Sequence, residues 1–333
     1  MAQKVRVEYV WLDGKEGMPG MRSKARYIRK SAVKHLYLSD IPNWSFDGGS
    51  TNQGTLENSD RTIAPVKLYV DPFHEGGYLV LCKVLDHKSN TRNALREVEE
   101  YSDSMLVGFE QEFTLLNPAT GDPIGDCFGK DVLQERFYCG VGPMNQIGRW
   151  LMDDFEEKAV KAGVDLYGVN AEVMPGQWEF QISEQPPIAA ADDLWMARYI
   201  LDRVAESKPI VISYEPKPSP TMNGAGCHTN ISTNQTRECL DLEYLRDTFA
   251  CDHHQFLMTC GQGTEARLTG ECETSSWKTF SVGQADRGAS IRIPREVALA
   301  GEGYFEDRRP SANCDPYLVL TAVINSMRAP VSL

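Results

Sequence analysis

Glutamates 110 and 112 sit in Gly108-Phe109-Glu110-Gln111-Glu112-Phe113, a segment that alternates with period two. A strand here turns Phe109 and Phe113 to one face and both glutamates to the other. Taken alone, that describes an ordinary solvated strand face. The segment Glu172-Val173-Met174-Pro175-Gly176-Gln177-Trp178-Glu179 shifts the balance. Pro175-Gly176 predicts a tight hairpin, with Met174 facing Gln177 and Val173 facing Trp178. Glu172 then lies directly opposite Glu179. Like charges across a strand pair are destabilising. A divalent cation removes that penalty, because the carboxylates become its ligands.

The surrounding chain reads as a mixture of strands and helices without regular alternation, which predicts an α+β fold. Strands are expected at 5–12, 66–70, 78–84 and 107–116. Between the first two, 43–60 is rich in Gly, Ser, Asn and Asp and reads as a long loop. A polar segment at 86–93 marks a domain boundary. Helices are expected at 93–103 and at 145–161, where Ile147, Leu151, Phe155 and Ala159 recur at spacing four and Gly163 follows as a stop. Another is expected after Asp192 as its N-cap, with Leu194, Ala197, Leu201 and Val204 on one stripe, and a third candidate spans 242–258. Residues 117–136 read as loop.

Composition narrows the function. The 333 residues are 41% hydrophobic, enough for a real core. A net charge of -13 disfavours a nucleic-acid groove. No apolar run approaches the ~20 residues that span a bilayer. The first 29 residues mix Lys and Arg with Glu8, Asp13 and Glu16, so they read as neither secretory signal nor transit peptide. Nine cysteines at irregular spacing contain no Cys-x-x-Cys pair, which points to reduced thiols in a cytoplasmic compartment.

His228 lies in Asn223-Gly224-Ala225-Gly226-Cys227-His228-Thr229-Asn230, where glycines permit close backbone approach to a ligand. A single imidazole with four carboxylates favours Mg2+ or Mn2+ over softer metals. Arginines cluster in Arg267-Leu268-Thr269-Gly270, in Asp286 to Arg295 and in Glu306-Asp307-Arg308-Arg309-Pro310. Guanidinium forks beside a divalent metal are equipment for phosphoryl transfer. Neither a Walker loop nor a Gly-x-Gly-x-x-Gly after a strand occurs, so the nucleotide site is neither P-loop nor Rossmann.

With these residues in view, the sequence resembles the eukaryotic (type II) glutamine synthetase family. The resemblance rests on Trp44-Ser45-Phe46-Asp47-Gly48-Gly49-Ser50-Thr51, on 108–116 and on Tyr138-Cys139-Gly140-Val141-Gly142. It continues, in order, through 170–181, 223–230, 267–270, 287–295 and 303–310. It implies a β-grasp domain over 1–88 that carries the Asp47 loop. It also implies a larger α+β catalytic domain over 89–333 with a curved antiparallel sheet. Ring-shaped homo-oligomers follow, decamers of two stacked pentamers, with active sites between subunits.

By position, the resemblance implies that Glu112, Glu172 and Glu179 hold one metal and Glu110, His228 and Glu306 another, with two or more Mg2+ or Mn2+ ions per site. It assigns glutamate to Arg267 and the Asn223-Gly224 backbone, and the ATP phosphates to Arg287 and Arg292. Arg308 would contact substrate and the transferring phosphoryl group. Asn230, Ser232 and Tyr304 match nucleotide contacts. Glu273 matches a flap residue, and Asp47 of a neighbouring subunit would bind ammonium and take its proton. The implied reaction ligates ammonia to L-glutamate through γ-glutamyl phosphate, giving glutamine, ADP and phosphate. Leu106, Met222, Ala266, Cys272 and Asp286 depart from the family pattern, as does Gln134-Glu135-Arg136-Phe137. They leave open a non-catalytic or altered-specificity ring protein, or a ligase for another γ-glutamyl amine.

Overall fold

The computed structural model describes residues 3–30, 35–85, 87–102, 104–125 and 136–328. Cys127, Gln134 and Glu135 lie outside these residues. Strands β1 (Gln3–Leu12), β2 (Met21–Lys30), β3 (Trp44–Asp47), β4 (Asp60–Val70) and β5 (Tyr78–Val84) form one sheet in the order β2-β1-β5-β4-β3. The central pair, β1 and β5, is parallel, as a β-grasp arrangement requires, and the other neighbours are antiparallel.

The chain continues through α1 (Thr91–Val98), β6 (Leu106–Leu116), α2 (Arg149–Ala162), β7 (Leu166–Ala171), β8 (Gln177–Gln185) and α3 (Pro187–Ala205). Next come β9 (Val211–Ser213), β10 (Cys227–Ser232), α4 (Asn234–Glu238), α5 (Leu242–Ala250), α6 (His253–Leu257) and α7 (Thr264–Arg267). The last are β11 (Val282–Gln284), β12 (Ile291–Ile293), α8 (Arg295–Ala300), β13 (Phe305–Asp307) and α9 (Pro316–Arg328). The second sheet runs β11-β12-β13-β10-β6-β8-β7, with β9 pairing the end of β6. It is antiparallel except between β11 and β12. The class is therefore α+β, as expected.

Several expected elements shift. The 43–60 segment contains β3 and a 3-10 turn, Gly49–Thr51, and β4 begins there rather than at 66. Pro65 lies inside β4, where the register with β5 slips between Pro65 and Lys67, the kind of irregularity at which a strand admits proline. The helix expected over 93–103 is α1 followed by a 3-10 turn. The 242–258 candidate is two helices broken at Cys251-Asp252. Asp192 is no N-cap: α3 starts after Pro186 with Pro187 in its first turn, and Asp192 is buried inside it. There Arg92 donates to both Asp192 oxygens at 2.8 and 3.0 Å, and the Tyr317 hydroxyl donates at 2.6 Å.

Both faces of β1 are buried. Val7, Tyr9 and Trp11 pack with Phe46, Ile63 and Val80, while Val10 and Leu12 join Leu79, Leu81 and the main core. That core continues across α2, α3, α9 and one face of the second sheet, where Phe109, Phe113, Trp178, Phe180 and Ile182 point. Among its large polar inclusions is fully buried Arg198 of α3. Arg198 donates to Gln111 Oε1 and to the carbonyls of Ala312 and Cys314, at 2.5–3.0 Å. Gln111 lies between Glu110 and Glu112, so this knot anchors the strand from behind. No helix among the described residues is long and apolar enough to cross a membrane.

An Arg198→Met variant should lose about 3 kcal/mol or more, because it strands a buried amide oxygen and two carbonyls. Arg198→Lys should not rescue it, since one ammonium cannot reproduce the fork. Urea unfolding checks this; a loss below about 1 kcal/mol would refute the anchoring role.

Candidate metal centre and adjoining cavity

Strand register alone assembles the acidic face. Arg292 pairs with Glu306, Glu306 with Asn230, and His228 with Glu110. Glu110 pairs in turn with Gln181, Glu112 with Glu179, and Glu179 with Asn170. Side chains at these positions share one face of the sheet. The direct like-charge pair is thus Glu112 with Glu179, across β6 and β8. The hairpin register expected from Pro175-Gly176 does not form. Gln177 N does donate to Met174 O at 3.0 Å, but Glu172 N donates to Gln177 O at 2.9 Å. The loop therefore takes up 173–176, and Glu172 faces Gln177 rather than Glu179.

Glu110, His228 and Glu306 offer ligand atoms within 4.8 Å of one another, and so do Glu112, Glu179 and His228. His228 Nδ1 lies 3.4, 3.6 and 3.9 Å from Glu110, Glu306 and Glu112. Glu172 stands outside the second grouping but lines the same pocket. Burial, then the nearby Glu112 charge, pushes the Glu172 carboxyl up to about 8. Burial and the charges of Glu110, Glu112 and Glu172 raise Glu179 well above the ordinary range. Burial and the Arg308 charge press His228 down to about 3, so its imidazole is uncharged.

What holds these carboxylates is mostly neutral. Asn230 donates to Glu110 at 2.8 Å, and Gln177 donates to Glu112 at 3.1 Å. Asn170 donates to Glu172 at 2.9 Å and Gln181 to Glu179 at 2.6 Å. Glu306 differs: Arg308 grips one oxygen at 2.5 Å and Arg292 the other at 2.6 Å. Buried carboxylates fixed by amides, with a neutral imidazole among them, form the donor set of a hard divalent cation. The residues fit such an ion.

Asn223, Gly224, Arg267, Glu273, Arg287 and Arg308 line the same pocket. Arg267 is buried; it donates to the carbonyls of Arg308, Arg309 and Pro310 and to His228 Nε2. Cys272 and Glu273 both have left-handed backbones, φ 52 and 59°, a strained pair at the pocket rim. Arg308 donates to the carbonyls of Glu273 and Arg287, each at 3.2 Å. Asp286 does not intrude: its carboxylate accepts from Gly288 N within its own turn. Asp47 is exposed and does not line the pocket. The Ser50 hydroxyl and Gly49 N–H hold its carboxyl below the usual range.

A cavity of about 470 Å³ adjoins this pocket, and Glu110 borders both. Leu106, Asn230, Ser232 and Tyr304 line it, together with Gln181, Arg237 and Tyr167. Arg237 donates to Ser232 Oγ at 2.8 Å. Sequence reasoning missed Gln177, Gln181, Arg237 and Tyr167. The first two were findable, because Gln177-Trp178-Glu179-Phe180-Gln181 alternates with period two and sets both amides beside Glu179.

Residues 85–242 match the family model described as the glutamine synthetase catalytic domain. The chain is 41% identical to the chloroplastic glutamine synthetase of Chlamydomonas reinhardtii, over 98% of this chain and 91% of that protein. It is 43% identical to a glutamine synthetase of Kluyveromyces lactis, over 94% and 86%. For a Xenopus laevis glutamine synthetase the values are 41%, 97% and 86%. A cryo-EM structure of Plasmodium falciparum glutamine synthetase shares the fold, with a TM-score of 0.75 at 18% identity over 97% of this chain and 71% of that one. The chain belongs to the glutamine synthetase family of glutamate–ammonia ligases.

Proposed function

We infer that the protein makes L-glutamine from L-glutamate and ammonia, driven by ATP, through γ-glutamyl phosphate. One observation supports this: Glu110, Glu112, Glu172, Glu179 and His228, five of the six ligand-type side chains named from sequence, line one pocket, with Glu306 3.6 Å from His228, and a cavity of nucleoside size lies beside it. Divalent cations, Mg2+ or Mn2+, would supply phosphate binding and charge neutralisation between Glu110, Glu112, Glu172, Glu179, His228 and Glu306.

The chain's own residues do the rest. Arg287, Arg292 and Arg308 orient phosphate oxygens through charge-assisted hydrogen bonds. Arg267 and the Asn223-Gly224 backbone hold glutamate with its side-chain carboxylate towards the phosphoryl donor. Asn230, Ser232 and Tyr304 hold the nucleoside. Glu273 closes over the site and keeps water from the acyl phosphate. Asp47 takes a proton from ammonium, which has no lone pair until it does. Its exposure and its absence from the lining of its own pocket support its delivery by a neighbouring subunit in a decameric ring. A division at 1–88 and 89–333, and a cytosolic location, complete the reading.

Phosphate release with glutamate, ATP, Mg2+ and ammonium should exceed that of Glu306→Ala by about 10²-fold or more. No excess over that variant would end the ligase reading. Co-expressed Asp47→Asn and Glu306→Ala subunits should recover activity at about a quarter of their sites, because half the sites keep Glu306 and half of those receive an intact Asp47. Mixtures as inactive as either parent would show that Asp47 serves its own pocket.

Proton linkage gives another expectation. The folded metal-free pKa values of Glu172 and Glu179 are raised, so the folded state holds protons more tightly than the unfolded chain. That contribution is present below the unfolded value, about 4.3, and is lost as pH rises through about 8. A cation must displace these protons. The Tm increase from Mg2+ or Mn2+ should therefore be larger at pH 8 than at pH 6. An increase that is equal or smaller at pH 8 would count against cation binding at these carboxylates.

A further inference from the structure

Two irregularities in the sheet border the cavity beside the acidic pocket. Val107 pairs with Gln185 but Phe109 pairs with Ile182, so Gly108 stands against two residues, Ser183 and Glu184. A Cβ on Gly108 would meet Ile182 O at 3.0 Å, so a side chain there would push the strands apart by a few tenths of an ångström. Asp165 pins the bulge, accepting from Ser183 N and Oγ, both at 2.9 Å. On the other side of β8, Leu166 pairs with Ile182 and Gly168 with Gln181, which leaves Tyr167 as an extra residue in β7. Bulges of this kind re-aim a side chain, and they recur beside binding sites.

Both bulges border the same space, since Gly108, Ser183, Glu184 and Tyr167 all line it. Tyr167 is 73% exposed, an aromatic ring with its face largely uncovered. Tyr304 lines the cavity too. Leu106 and Ile182 add apolar wall. Glu110 and Glu184 supply two negative charges against the one guanidinium of Arg237, which is held by Ser232, Ser104 and Asn234, and the net negative lining disfavours a phosphate in this space. The chemistry left is that of an uncharged, flat, aromatic group whose charged portion lies on the Glu110 side.

We propose that Tyr167, turned out of the β7 ladder by its bulge, is the stacking surface for the purine base of the nucleotide. The proposal rests on the nucleotide reading above and adds the residue that binds the base. Stacking needs a ring and no hydroxyl, so phenylalanine should serve and alanine should not.

The test compares Mg2+-ATP with Mg2+-tripolyphosphate, which has the phosphates and no base, by calorimetric titration of the full chain. Tyr167→Ala should weaken ATP about tenfold and leave tripolyphosphate unchanged, while Tyr167→Phe should bind ATP as the parent does. In turnover, Tyr167→Ala should raise KM for ATP with little change in kcat or in KM for glutamate. Equal ATP affinity in Tyr167→Ala and parent would overturn the proposal. So would parallel losses of ATP and tripolyphosphate, which would mean that the ring acts through the fold. A parent protein that bound neither ligand would instead overturn the nucleotide reading itself.

Discussion

Everything at the site depends on one awkward contact, Glu112 directly opposite Glu179 in an antiparallel pair. Two carboxylates at that spacing repel, and burial worsens it, because Glu112 is 8% and Glu179 only 4% exposed. A sheet built for stability alone would put a cation or an apolar residue at one of these positions. Here the neighbouring positions are more acids, Glu110 and Glu172, and an imidazole that burial keeps neutral. Protons relieve the repulsion in the free protein, and on the function proposed above a metal would relieve it too. Proton and metal would then compete for the same oxygens.

The choice of supporting residues follows from that competition. An arginine beside Glu179 would satisfy its charge permanently and leave little to attract a metal. Asn170, Gln177, Gln181 and Asn230 fix orientation without supplying charge. Behind the strand the same logic appears in reverse. Gln111 points into the apolar core, and it is there, away from the metal face, that buried Arg198 is placed. One strand thus carries acids forward and a guanidinium knot behind, separated by the thickness of a single sheet.

Much of this was legible in the sequence, for reasons specific to each element. Period-two alternation placed Glu110 and Glu112 on a common face. The stop at Gly163, with φ 91°, ended α2 where expected. The strand over 78–84 was found to the residue, because it is an apolar run interrupted only by Lys83, with both faces largely buried. β2 was invisible, because Arg22, Lys24 and Arg26 on an edge strand look like a solvated loop. Asp192 misled because a cap and a buried hydrogen-bond acceptor are the same residue type in one dimension. The hairpin register failed because Pro175-Gly176 announces a turn but does not say how many residues flank it. Tyr167 left no signal, since a bulge depends on how two strands pair and neither strand records that alone.

Glu306 is the exception among the acids, and it ties the two halves of the site together. Both of its oxygens are held by guanidinium groups, Arg308 at 2.5 Å and Arg292 at 2.6 Å. A phosphate is a better partner for either arginine than a carboxylate already shared between them, since it offers more charge and three acceptor oxygens. On the proposed function, each arginine that turned to a phosphate would leave a Glu306 oxygen uncompensated, 1% exposed and 3.6 Å or so from His228. That residue would then have the same need for a cation that Glu112 and Glu179 have from the outset. The register that pairs Arg292 with Glu306 and Glu306 with Asn230 therefore does more than line up side chains. With phosphate bound as proposed, it would make the charge balance of one strand answer to what occupies the next.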